Sequence, residues 1–292
     1  MTKYYIMMIF ATALLAVEFS LQKLYQKRCG TSPRAGLTFN AISGLVSGLI
    51  FFSANGFRLD APMFAVLMAL VMSFCLVGYT LLGFRIMKAG NMALYTMFLM
   101  TGGMAVPYVW GLAFLDETFS ILRLLGLFVM IAAIVLSNLA DKRTNMKILL
   151  LCCIIFFLNG GCSVSSKLSQ TPNLYGDVVS PTVFACLTGL IRFVLCSIAL
   201  LFTKKSEDQV EKPVSFLKVL PLIACTSIVS GSFFVLELVG AVHLPATVLY
   251  PIVSGGSIIF STFAARVLFH EKPTLHQKIG VALCFFGTCL FL

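Results

Sequence analysis

The longest polar stretch in this chain is TKKSEDQVEKP, at 203–213, and on either side of it long apolar runs follow one another, broken only by short turns. Such a chain has no segment left over for a water-soluble domain. Charged residues make up 11% of it and the mean hydropathy is +1.00, whereas an ordinary soluble domain is about a quarter charged. Each crossing of a bilayer takes about 20 mostly apolar residues, so a chain of this length holds about ten crossings. Apolar periods bounded by charges or prolines predict helices at 4–26, 36–54, 62–84, 91–115, 120–140, 147–169, 178–203, 215–239, 245–268 and 274–292. The expected class is an all-α, multi-pass membrane protein, placed in a bacterial cytoplasmic membrane. The first run carries Glu18 and no small-residue cleavage site, so span 1 is expected to be retained.

The runs also repeat. A shift of 153 residues lays Ala93 on Ala246, and Gly102 and Gly103 on Gly255 and Gly256; one residue later, Glu117 meets Glu271 and Gly126 meets Gly280. Shifts of 144 and 145 pair Lys23 with Lys167 and Gly44 with Gly189. Two halves follow, 1–140 and 141–292, each of five spans, within one integrated membrane domain. An odd number of spans per half forces the halves into opposite orientations, the inverted repeat common in secondary transporters. Loops after odd-numbered spans are rich in Lys and Arg, from Lys27 to Lys272, while the loops of the other face hold only Lys3 and Arg58. The positive-inside rule then puts both termini outside.

Several function classes fall away. The net charge of +10 is scattered among turns instead of lying along one exposed helix, so nucleic acid is not an expected partner. The ten cysteines form no CxxC or Cys/His cluster, so no metal and no cofactor is expected. His243, His270 and His276 lie at or near turns, far from any shared site, so an enzyme is not expected. There is no GxxxxGK[ST] loop for nucleotide-driven pumping. The expected partners are a small-molecule substrate, protons and the lipid bilayer, with a monomer sufficient.

Charges inside spans mark the candidate path, because each costs about 2.5 to 3.5 kcal/mol on insertion scales. Glu18 should face the bundle interior, where it exchanges protons or pairs with Lys23 or Lys167; Gln22 lies one turn further on. Arg192 in span 7 either binds an anionic group or locks its helix to a neighbour, and Glu237 sits in span 8. Lys23 and Lys167, repeat equivalents near span ends, either snorkel to the interface or flank the cavity from opposite sides. Polar stripes at helical spacing extend the path: Thr247, Tyr250, Ser254, Ser257 and Ser261; Asn159, Ser163, Ser166 and Gln170; Asn40, Ser43 and Ser47; Asn91, Tyr95 and Gly102. Small hydroxyl residues also serve helix packing. Gly102, Gly103 and Pro107 in span 4, Pro251, Gly255 and Gly256 in span 9, and Gly160 and Gly161 in span 6 are expected to break helices near the membrane middle. Gly126 and Ala133, and Gly280 and Gly287, each seven apart, suggest a seam between spans 5 and 10.

The run ATVLYPIVSGGSIIFSTFAARVLFHEKPTLHQKIGVALCFFGTCL has a proline at its helix start, Glu271 in the turn and Gly280 opening the last helix. It closely resembles the second repeat of EamA-type transporters of the drug/metabolite transporter superfamily. Arg192 in LTGLIRFVL matches the arginine usual in the second helix of that repeat; in the first half Phe98 and Ser47 stand in place of the proline and the arginine. The resemblance implies a secondary active transporter, working by alternating access on a small polar or amphipathic metabolite or drug, with export as the direction. ALLAVEF around Glu18 looks like the setting of the proton-coupling glutamate in related small multidrug resistance transporters, which implies proton antiport, although Gln26 stands where their lysine would be. Glu117 and Glu271 match the family's turn glutamate and are expected to favour helix N-termini. A lipid-handling flippase on the same fold is the alternative.

Overall fold

The structure, a computed structural model, describes residues 2–30, 32–88, 92–138, 146–171, 178–203, 216–270 and 275–291. These residues form helices α1 (Thr2–Cys29), α2 (Pro33–Ala54), α3 (Met63–Lys88), α4 (Met92–Phe114), α5 (Ile121–Asn138), α6 (Met146–Ser169), α7 (Pro181–Phe202), α8 (Phe216–His243), α9 (Ala246–Phe269) and α10 (Leu275–Cys289), and no strand. Eight of the helices are long and apolar enough to cross a membrane; α5 and α10 carry the shorter apolar stretches Ile121–Leu136 and Lys278–Cys289. Large apolar side chains such as Phe10, Phe74, Phe128, Phe157, Leu201 and Phe286 are exposed on the outer surface. In water such a surface would be a liability, and in lipid it is the expected exterior. The chain is an integral, multi-pass membrane protein of all-α class.

Local chemistry sets several helix ends. Ser32 accepts from the amide of Ala35 at 3.2 Å, with Pro33 in the first turn of α2, which fills one orphan donor and uses a residue that has none. At the other end of α2, Gly56 takes φ 63°, and Thr182 at the start of α7 donates to Asn55 Oδ1 at 2.7 Å. That bond ties the end of α2 to the beginning of α7.

The helices pack in a pattern with internal order. α2 lies against α7, α5 against α10, and α4 against both α6 and α9; α1 packs on α8 and α9, and α3 on α6 and α7. Exchanging each helix for the one five places along turns α1 with α9 into α6 with α4, and α1 with α8 into α6 with α3, both of which are present. At the α2–α7 crossing backbone meets backbone. A Cβ at Gly44 would stand 2.8 Å from the carbonyl oxygen of Gly189, and one at Gly189 would stand 2.9 Å from that of Gly44. Between α5 and α10 the expected small-residue seam is present, with the Gly126 position 3.0 Å from the Gly287 oxygen.

The expected helix breaks are absent. α4 runs unbroken through Gly102, Gly103 and Pro107, α9 through Pro251, Gly255 and Gly256, and α6 through Gly160 and Gly161. Neighbouring helices supply what these residues lack. Pro107 has no N–H to offer the carbonyl four residues earlier, that of Gly103, and the Ser163 hydroxyl donates to that oxygen at 3.1 Å. The glycines themselves admit close neighbours: Phe156 of α6 at Gly102, Thr288 of α10 at Gly255, Thr12 of α1 at Gly256 and Val106 of α4 at Gly160.

Candidate functional site

A cavity of about 320 Å³ lies among α1 to α4 and α6 to α9, and no wall residue comes from α5 or α10. Among the described residues its charged wall consists of Glu18, Arg192 and Glu237. Glu18 and Gln22 stand one turn apart on α1, and Gln22 Nε2 donates to Glu18 Oε1 at 2.8 Å. Arg192 Nη2 donates to Ser47 Oγ on α2 at 3.3 Å, its Nε is buried without an acceptor, and its charge attracts the Glu18 carboxylate. Glu237 projects from α8. Among the described residues no donor bonds its carboxylate, and the charge that acts on it is the like charge of Glu18.

The polar stripes reach this wall, and the same residues bind their neighbours. Asn159 Nδ2 donates to the Leu99 oxygen at 2.7 Å, and Ser163 to that of Gly103, so α6 is stitched to α4. Tyr250 donates through its hydroxyl to the Ser163 oxygen at 2.6 Å, joining α9 to α6. Ser257 donates to the Ser254 oxygen and Asn40 to that of Gly36, each within its own helix. Tyr95 packs against Gly83, where a Cβ would meet the hydroxyl end of its ring. Glu18, Gln22, Asn40, Tyr95, Asn159, Ser163, Arg192, Glu237, Tyr250, Ser254 and Ser257 all line the cavity, as does Gly103.

Other expected site residues stand elsewhere. Gly102, Pro107, Pro251, Gly255 and Gly256 are not wall residues, because their role is in helix contact. Lys23, half-buried on α1, is not part of the wall either. Lys167 is buried at 7% exposure, and Nζ donates at 2.7 Å to each of the Ala241 and Leu244 oxygens. It therefore fills the unpaired carbonyls at the C-terminus of α8, a place where a cation also meets the helix dipole favourably. Glu117, expected at a helix N-terminus, caps that of α9. Its carboxylate accepts from the amides of Ala246 at 2.5 Å and Thr247 at 2.8 Å, in space left by Gly111. The turn between α8 and α9 is thus held from one side by a cation and from the other by an anion. Glu271 and Asn91 lie outside the described residues.

Sequence reading missed Tyr79, Thr188 and Ser73, which join the wall. Ser73 donates to the Thr188 oxygen at 3.3 Å, tying α3 to α7. α3 presents no run of polar residues at helical spacing, and the one available signal was a tyrosine in an otherwise apolar span. Among the described residues no three His, Cys, Asp or Glu side chains converge to hold a metal ion.

A cavity set among apolar helices, yet lined by charge, hydroxyls and aromatic rings, suits a small solute that must be held away from lipid. The model of the EamA-like transporter family matches residues 146–292, just over half of the chain. The chain belongs to the EamA-like transporter family. It is accordingly a membrane transporter of the drug/metabolite type. The EamA match spans α6 to α10 and so includes Arg192, Glu237 and Tyr250, while Glu18 and Gln22 lie in the other half. A solved structure described only as "Crystal structure of protein" superposes with a TM-score of 0.76 over 99% of this chain and 95% of that chain. At 16% identity that likeness is one of fold. Among curated proteins none matches.

Proposed function

We propose that the chain is a secondary active transporter that carries a small polar or amphipathic metabolite or drug through the central cavity by alternating access. The observation that carries this reading is the composition of the wall: Glu18 comes from one half of the chain, Arg192 and Glu237 from the other, and together they face one cavity. A site shared between two halves changes its access when the halves rock.

In this reading the ten helices form two inverted repeats of five, 1–140 and 141–292. The helix pairings keep their pattern when each helix is exchanged for the one five along. Repeat-equivalent residues also touch one another, Gly44 against Gly189 and Ser47 bonded to Arg192. Equivalent residues in mutual contact lie close to the axis that relates the halves, and five crossings per half make that relation an inversion. Proton antiport through the Glu18 carboxylate supplies the driving force, and export is the direction that the resemblance implies. The described wall residues all come from one chain, and in this reading a monomer is sufficient.

The test is uptake into vesicles reconstituted with the purified protein, under an imposed proton gradient. Glu18→Gln should abolish gradient-driven movement of a substrate that the wild type carries. Unchanged gradient-driven transport in that variant removes the coupling role, and movement of lipid with no soluble solute replaces transport with flipping.

A further inference from the structure

Among the described residues the charges of the cavity wall do not balance. Two carboxylates, Glu18 and Glu237, face one guanidinium, Arg192. Two of the three answer each other: Arg192 attracts Glu18, which also accepts from Gln22, while the guanidinium is fixed on Ser47. Glu237 is left over. It has no donor among the described residues, and Glu18 repels it. Glu237 is half-buried in a mostly apolar wall, and a carboxylate there without a donor or a cation is costly, so the position suits a positive group that the described residues do not supply. Phe233 and Phe234 stand one turn earlier on the same helix and line the same wall, and aromatic faces attract cations. A solute carboxylate, by contrast, could use the unpartnered Nε of Arg192 but would meet the like charges of Glu18 and Glu237 on the same wall.

We propose that the transported solute carries a cationic nitrogen, a protonated amine, and that Glu237 beside Phe233 and Phe234 is where it binds. This rests on the transport reading of the cavity. At about 320 Å³ the cavity is near the lower end of the range for small-ligand pockets, roughly 300 to 1,000 Å³, which suits one compact amine.

The experiment uses the purified full chain and solutes that share a hydroxyphenyl frame but differ in charge: tyramine, tyrosine, tyrosol and 4-hydroxyphenylacetate, with pentylamine and pentanoate as an aliphatic pair. Thermal unfolding and titration calorimetry should show the two amines raising the melting temperature and binding most tightly. Glu237→Gln should weaken amine binding by about 10- to 100-fold, the worth of one hydrogen bond to a charged group. Glu237→Asp should recover part of it, and an unliganded melting temperature close to wild type shows that each variant is folded. Tighter binding of tyrosine or of the anions overturns the proposal. So does an amine affinity that Glu237→Gln leaves unchanged, or no binding of either amine. Flux of the same solutes into vesicles separates the two levels of inference. Transport of an anion or a neutral solute in preference to the amines leaves the transporter standing and removes its cationic substrate, whereas no flux of any solute removes the transport reading itself.

Discussion

Lys167 and Glu117 each direct a full charge at the backbone of a helix other than their own. Lys167 fills two carbonyls at the end of α8 and Glu117 two amides at the start of α9. Hydrogen bonds to charged groups contribute about 1.5 to 3 kcal/mol each when buried. Lys167→Met should therefore lower the unfolding free energy by about 2 kcal/mol and leave substrate affinity within about twofold; a loss of affinity at unchanged melting temperature would return the lysine to the substrate path. Glu117→Gln keeps an acceptor but loses the charge facing the helix dipole, so a smaller loss of about 1 kcal/mol is expected, again read from thermal unfolding. Most of the polar part of the wall was legible in the sequence, because residues such as Tyr250, Ser254 and Ser257 recur at helical spacing. The lysine was not. Repeat position gives a residue's depth in its helix, and the partners of Lys167 are carbonyls 74 and 77 residues away that no local pattern announces.

Helices α4 and α9 carry prolines and paired glycines and still run through. A sequence marks where a helix cannot satisfy its own backbone, but whether a neighbour will supply the missing group depends on packing. Ser163 supplies it at Gly103. Ser163→Ala should cost about 1 to 2 kcal/mol of stability, and adding Pro107→Ala, which restores the N–H within α4, should recover part of that loss. Additive losses in the double variant would mean that the serine bond has nothing to do with the proline. At the α2–α7 crossing the test is steric. Gly44→Ala places a methyl group 2.8 Å from a carbonyl oxygen, whereas at Gly161 the nearest atom is a thiol sulfur at 3.3 Å. The first substitution should lower the melting temperature clearly more than Gly161→Ala does.

At the scale of the molecule, the all-helical membrane class followed from hydropathy and the ten helices from apolar periods, with ends displaced by a few residues; α3 reaches Lys88 and α8 reaches His243. Eight helices are clear crossings among the described residues, and α5 and α10 carry shorter apolar stretches, α10 being described only from Leu275. Orientation is open to a direct test. Because basic residues gather in the loops after odd-numbered spans, a reporter active only in the cytoplasm should stay silent when fused to the C-terminus. Activity there would reverse the assignment.

The carboxylate that caps α9 is made about 130 residues before the amides it binds. During synthesis the first five helices therefore leave the ribosome with a side chain whose proper neighbours do not yet exist, and α9 is complete at its start only once the earlier segment is there to receive it. The polypeptide link is not what brings these groups together; their fit is. Segments 1–140 and 141–292, produced as separate polypeptides in one cell, should find each other in the membrane and copurify, and Glu117→Gln in the first should weaken their recovery.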